Sequence, residues 1–417
     1  MSPLSSSVVP LLVAALWVTT PVGPTRLDGE GVRACFPGTP AADAAGARAR
    51  MVLDHNRVLV DAEVQAKDGT WRKARLWIDS GNPDFLLSAA FARSLGFEWA
   101  TTAPADATAP VAMSPVAVRL AGVSLDFRGL LPAVRPGAEA FLATMHADGN
   151  LPSTVLRRYR VVLDYPRREV ELRPGNSSPH RGAPVPMRVH PKTGIAQVEA
   201  RVGGESLSFA LDIGASYSFV SARLLDTLAA RHGSWPRMAG AVGCANIWGL
   251  WPEEERWAVL RSPEIRLGGT TIGGVGLVGL PNIFANDTDL GTWYSRKTAA
   301  PVVGFLGPNA FKGFRVEIDY EAGMLHLERH AADDVHDMDR VGLTLQPDGG
   351  RWRVLGSAVE GVEAGDVLIA VGEVAIPGAT MGTVADSLRG KPGELRVLTL
   401  ERQGRTIQVR ARVRRLL

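Results

Sequence analysis

Two short stretches of the 417-residue chain place an acidic side chain at the end of an apolar strand. The first reads Leu76-Trp77-Ile78-Asp79-Ser80-Gly81 and is followed by Phe85-Leu86-Leu87-Ser88. The second reads Ala210-Leu211-Asp212-Ile213-Gly214 and is followed by Phe219-Val220-Ser221. The apolar residues put each strand in a core, and the glycine permits a tight turn with close backbone approach. Each aspartate is then held at the tip of a rigid element. One such aspartate is ambiguous, because an aspartate at a turn can merely cap it. Two in equivalent places of a duplicated chain are expected to meet at a pseudo-twofold axis. Carboxylates about 3 Å apart do not both ionise readily and share a proton. One can take a proton from a water while the other donates to a carbonyl, which is the chemistry of peptide hydrolysis without a metal or a covalent intermediate.

The elements that must position these residues are also duplicated. Gly149 to Tyr165 aligns without a gap with Gly304 to Tyr320, at an offset of 155 residues, and both segments end in Asp-Tyr. Each continues into an alternating strand, Glu169 to Leu172 and Met324 to Leu327. The two aspartates are offset by 133, so the second copy carries 22 more residues between its motifs. Val58, Val60, Ala62 and Val64 alternate with polar neighbours and lead to an Asp68-Gly69 turn. Ala196, Val198, Ala200 and Val202 do the same before Gly203-Gly204. Ser88 and Ser221 are suited to cap short helices, and Gly96 and Gly233 to end them.

Asp79-Ser-Gly and Asp212-Ile-Gly-Ala-Ser, each followed by an apolar strand and later by Gly-x-Leu and Asp-Tyr, resemble the retropepsin-like, or pepsin-like bilobal, aspartic proteases over about residues 51–330. The resemblance implies a closed β fold in each lobe, a cleft between them, and Asp79 and Asp212 as the catalytic pair. It also implies a bracing hydroxyl after each aspartate and turns shaped by Gly81 and Gly214. Ser80 supplies such a hydroxyl and Ile213 does not. Ala215 fits the pattern, and Asn82 is less usual there. Ile213 keeps a second reading open: a peptide-binding adaptor on the same fold that does not cut. The family covers its cleft with a glycine-rich hairpin, for which Met238 to Gly249 is the candidate in the second lobe and Thr101 to Met113 the weaker one in the first. An ordinary surface loop is the other reading of both.

From about residue 341 the pattern changes. Val341-Gly342-Leu343-Thr344-Leu345, then Ala364 to Val371, a helical stretch Thr383 to Arg389, and two alternating strands, Leu395 to Arg402 and Thr406 to Val413, resemble a PDZ domain. That resemblance implies a loop, Gly342, Leu343, Thr344 and Leu345, whose backbone N–H groups receive the carboxylate of a C-terminal peptide added as an extra strand.

The expected fold class is mainly β: two duplicated aspartic-protease-like β-barrel lobes plus a PDZ-like α/β domain. The expected divisions are a signal peptide over 1–22, a linker over 23–50, lobe one over 51–175, lobe two over 185–330, a linker over 331–340 and the PDZ-like domain over 341–417. The apolar run Val8 to Val18 has the length of a secretory signal core and is too short for a bilayer span, so export to the periplasm or medium is expected. A net charge of +3 with acids and bases interleaved offers no nucleic-acid footprint. Cys35 and Cys244 lack metal-ligand spacing, and their pairing is left open. His330, Asp333, Asp334, His336 and Asp337 form an irregular run read as exposed linker, not a metal site. His-Glu-x-x-His, Gly-x-Ser-x-Gly and Walker motifs are absent from the sequence. No cofactor is expected, and the expected partners are protein or peptide substrates.

Overall fold

The computed structural model describes residues 46–98, 111–114, 116–175, 179–238, 254, 256–282 and 288–417. The expected signal, both cysteines and nearly all of both flap candidates lie outside the described residues. The architecture is mainly β.

In the first lobe the alternating segment forms strand Arg57–Gln65, which pairs antiparallel with Trp71–Asp79. The turn between them is set by Gly69 at φ 83° and by the Asp68 side chain, which accepts from the Thr70 N–H at 2.8 Å. Trp71–Asp79 then runs parallel beside Gly149–Pro152, with Asp79 opposite Pro152. The second lobe repeats this. Ala196–Val202 pairs antiparallel with Glu205–Leu211, and Glu205–Leu211 runs parallel beside Gly304–Leu306. Val58, Val60, Leu76, Ile78, Leu151, Phe209, Leu211 and Leu306 are all essentially buried. At roughly 1.5–3 kcal/mol for each large apolar side chain removed from water, this burial fixes which way both aspartate strands face. Ser88 and Ser221 cap the helices Ala89–Ser94 and Ala222–Arg231 as expected, each hydroxyl accepting a backbone N–H at 3.2 Å. Gly96 ends its helix in the left-handed region at φ 84°. The second helix ends instead on His232 at φ −121°, with Gly233 just beyond.

The lobes join through strands Arg160–Asp164 and Phe314–Asp319, which pair antiparallel with Val162 opposite Glu317. Residue 317 is residue 162 shifted by the repeat offset of 155. Each repeat strand therefore pairs with its own copy about that point, which is where the pseudo-twofold passes. These strands belong to a 13-stranded sheet that continues into the second lobe.

Two expected linkers are corrected. Residues 23–50 are not linker to their end: Ala47–Arg50 is a strand on the outer side of the joining sheet, paired with Glu169–Arg173, and Ala47 is 1% exposed. Residues 331–340 are not an exposed linker to their end. Asp337, Met338, Asp339 and Arg340 are all at most 4% exposed. Asp337 bonds Arg261 at 3.2 Å, and Asp339 accepts the Leu416 N–H at 3.1 Å. Charge in that stretch is used for internal pairing, which polar composition alone does not distinguish from solvation.

The C-terminal unit is a sheet in the order Leu343–Asp348, Arg351–Ser357, Val367–Val371, Leu395–Arg402, Arg405–Arg412, with helix Met381–Leu388 against it. Thr380 caps that helix, so it starts two residues before the expected Thr383. Its core residues, among them Val341, Leu345 and Met381, belong to one apolar cluster with Trp77, Tyr217 and Tyr294 of the lobes.

Candidate active site

Asp79 and Asp212 emerge from the two parallel-braced strands and face each other across the pseudo-twofold. A Cβ added to Gly81 would lie 2.3 Å from Asp212 Oδ2, and one added to Gly214 would lie 2.7 Å from Asp79 Oδ1. Each carboxylate thus sits over the glycine of the other motif, and only glycine leaves room for it. The structure brings together all five residues expected here: Asp79, Asp212, Ser80, Gly81 and Gly214.

The brace is one-sided. Ser80 Oγ donates to the Leu211 carbonyl at 2.9 Å and accepts the Ile213 N–H at 2.9 Å. Ile213 is 2% exposed and packs in the core, returning nothing polar to the first motif. A second pair of bonds supplies the missing symmetry. Trp77 Nε1 of lobe one donates to the Gly214 carbonyl at 3.1 Å, and the Tyr294 hydroxyl of lobe two donates to the Gly81 carbonyl at 2.9 Å. Each lobe therefore holds the other's glycine turn through a buried ring.

Each carboxyl has donors close to it, Asp79 from Asn150, Asn82 and the Gly81 backbone, Asp212 from Tyr294 and the Gly214 and Ala215 backbone. Asp212 Oδ1 accepts the Gly214 and Ala215 N–H groups at 3.0 and 3.1 Å. Its Oδ2 lies 3.3 Å from the Tyr294 hydroxyl, whose single proton is better satisfied by the nearer Gly81 carbonyl. Asp79 Oδ2 receives the Asn150 amide at 3.5 Å, while Asn150 also fixes the turn after Gly81 by accepting the Leu86 N–H at 2.7 Å. The two carboxyls are 3% and 2% exposed. Burial pushes Asp212 up to about 6, against the backbone donors that hold it down. Burial and the neighbouring Asp212 charge push Asp79 well above the usual carboxylate range. After its first ionisation the pair shares one charge and one proton. The pair titrates as a unit.

Trp77, Tyr294, Asn150 and nearby Lys297 were not singled out by sequence. The Tyr294 contact spans 213 residues and the Trp77 contact 137, and no local pattern marks such partners. Asn150 stood in plain view inside the Gly-x-Leu motif, as the one polar residue at its centre.

In the C-terminal unit, Gly342, Leu343, Thr344 and Leu345 are all buried. Leu343 donates its N–H to the Val341 carbonyl at 2.8 Å, and Val341 donates to Leu388 at the end of the helix at 2.9 Å. The loop expected to receive a peptide carboxylate is thus tied to its own helix in this state. Leu343–Asp348 is the outermost strand of its sheet. Among the described residues no helix is long and apolar enough to cross a membrane.

No family model matches the chain, and no curated protein matches it. Among solved structures, the photosystem II D1 C-terminal processing protease shows a partial likeness, with 26% identity over 19% of this chain and 23% of that protein and a TM-score of 0.18. The chain thus spans about a quarter of that protein's length, and a likeness of this extent supports no conclusion about fold or activity.

Proposed function

We propose that the chain is an exported aspartic-type endopeptidase in which Asp79 and Asp212 activate one water. The observation that supports this reading is the reciprocal seating of each carboxyl over the other motif's glycine. In the singly protonated pair, the ionised carboxylate, assigned to Asp212 in this proposal, takes a proton from the water as its oxygen attacks the peptide carbonyl. Asp79 gives its proton to the carbonyl oxygen, forming a tetrahedral diol. Proton transfer to the leaving nitrogen then breaks the C–N bond and releases a carboxylic acid and an amine. Ser80, Trp77 and Tyr294 hold the two turns in register. The C-terminal unit, through Gly342, Leu343, Thr344 and Leu345, presents or selects substrate peptides. The test is cleavage of an unfolded protein, followed by mass spectrometry, by the full chain and by Asp79→Asn. Turnover confined to the unsubstituted chain, with both melting cooperatively, supports the proposal; equal turnover sinks it.

Ile213 and the low exposure of both carboxyls favour one second reading, the peptide-binding adaptor. Tight peptide binding without turnover across a range of pH would select it.

A further inference from the structure

Beside the carboxyl pair stand two buried cations, and one of them has no counter-charge in contact. Lys297 lies just past helix Leu290–Ser295, and its N–H bonds the Tyr294 carbonyl at 2.9 Å. The residue therefore belongs to the same turn as Tyr294, whose hydroxyl lies near Asp212. The residue is 8% exposed, and Nζ lies 4.2 Å from the centroid of the Trp293 ring. Among the described residues no carboxylate, carbonyl or hydroxyl lies within hydrogen-bonding distance of Nζ.

From the first lobe comes Arg135, 7% exposed. One of its terminal nitrogens bonds Asp84 at 2.7 Å, while its Nε is buried without an acceptor. Asp84 is wired to the pair, because the Asn150 amide that reaches Asp79 also donates to the Asp84 carbonyl at 3.0 Å. Burial pushes the Lys297 ammonium down to about 8; the charges of Asp84, Asp79 and Asp212 pull it up, and Arg135 opposes them. All four of these charges thus act on Lys297.

Burying a cation away from water without a hydrogen-bonding anion is costly, and the ring face of Trp293 recovers only part of that cost. Asp84 answers Arg135. Asp212 is held by the Gly214 and Ala215 N–H groups and does not contact Lys297. What remains is an ammonium and an unused guanidinium N–H beside the reacting centre.

We propose that Lys297, with Arg135, forms a subsite for a carboxylate on the substrate peptide, making the enzyme selective for an acidic residue or a free C-terminus near the cleaved bond. This rests on the hydrolase reading for its place in a reaction, and its test separates the two. The probes are amidated ten-residue peptides of Ala, Val and Phe, with a single Glu or Gln scanned along them, and the same peptides unamidated. Cleavage is measured with the full chain, and binding is measured by calorimetry with full-length Asp79→Asn.

At one position Glu is favoured over Gln by about tenfold or more, as expected for a desolvated charged hydrogen bond. The ratio falls toward one in Lys297→Met and survives in Lys297→Arg. A preference for the free over the amidated terminus that Lys297→Met abolishes assigns the subsite to the α-carboxylate. Glu preference in binding without any cleavage retains the subsite and overturns the hydrolase. Cleavage or binding with a ratio near one at every position and both termini overturns the subsite. So does a ratio that Lys297→Met leaves intact, or an absence of binding to every peptide.

Discussion

Ser80 carries the only side-chain hydroxyl within the two Asp-x-Gly triplets, and it makes two bonds across the lobes. Ser80→Ala leaves the Leu211 carbonyl and the Ile213 N–H unpaired in a buried turn. The expected cost is about 1–3 kcal/mol, read as a lower melting temperature, with kcat falling more than KM changes. Acidity follows from burial. Asp212 moves from 3.8 in the unfolded chain up to about 6 in the folded one. The folded state thus keeps a proton that the unfolded state releases. Stability from this group is complete below roughly pH 4 and is lost as pH rises through about 6. Asp79 is raised by burial and by the Asp212 charge, so it too loses stability as pH climbs above its unfolded value, and Asp79→Asn removes that loss. Its melting temperature relative to the unsubstituted chain is therefore expected to rise between about pH 4 and 7. A flat difference across that interval would mean that folding does not raise Asp79. The singly ionised pair fills as pH rises through about 6, so the acid limb of kcat/KM is expected near there.

At the scale of elements, the two Asp-x-Gly turns depend on close packing. Gly81→Ala places a carbon 2.3 Å from Asp212 Oδ2 and 2.4 Å from the Tyr294 hydroxyl, which forces the carboxyl out of register. The expected outcome is loss of turnover with the secondary structure retained by circular dichroism; turnover near that of the unsubstituted chain would contradict the seating described. The repeat made these turns legible beforehand. Alternation in Val58 to Val64, glycine turns and serine caps are local signals, and each is found where the pattern put it. Strand Ala47–Arg50 was not legible, because four residues reading Ala-Arg-Ala-Arg acquire a buried face only from Glu169–Arg173 across the sheet. The same holds for Trp77 and Tyr294, whose rings read as ordinary core until the facing lobe is present.

At the scale of the whole molecule, one hairpin turn touches both the C-terminal unit and the second lobe. Asp54 Oδ1 accepts the N–H of Gly382 in the C-terminal helix at 3.0 Å, and Asn56 donates to the Ser216 carbonyl, four residues after Asp212, at 2.7 Å. Arg57, fully buried, reaches Met381 at 3.1 Å and lies against the Phe141 ring. The C-terminal unit thus rests on the element that supports the second aspartate turn. A Cβ on Gly382 would meet the His55 nitrogen at 2.5 Å and Asp54 Cα at 2.6 Å. Gly382→Val is expected to unseat the unit, read as faster proteolytic nicking within residues 331–340 and a lower kcat; unchanged nicking and kcat would mean that the contact is incidental.

The pairing of Val162 with its own repeat equivalent, Glu317, makes the two lobes halves of one site. The most direct measurement of that claim is kcat/KM for Asp79→Asn, Asp212→Asn and the double substitution on one cleaved peptide. A shared-proton pair predicts that either single change removes as much rate as both together, about 10²–10⁴-fold or more. Two partial losses that multiply in the double variant, or a single variant that keeps its rate, would contradict it.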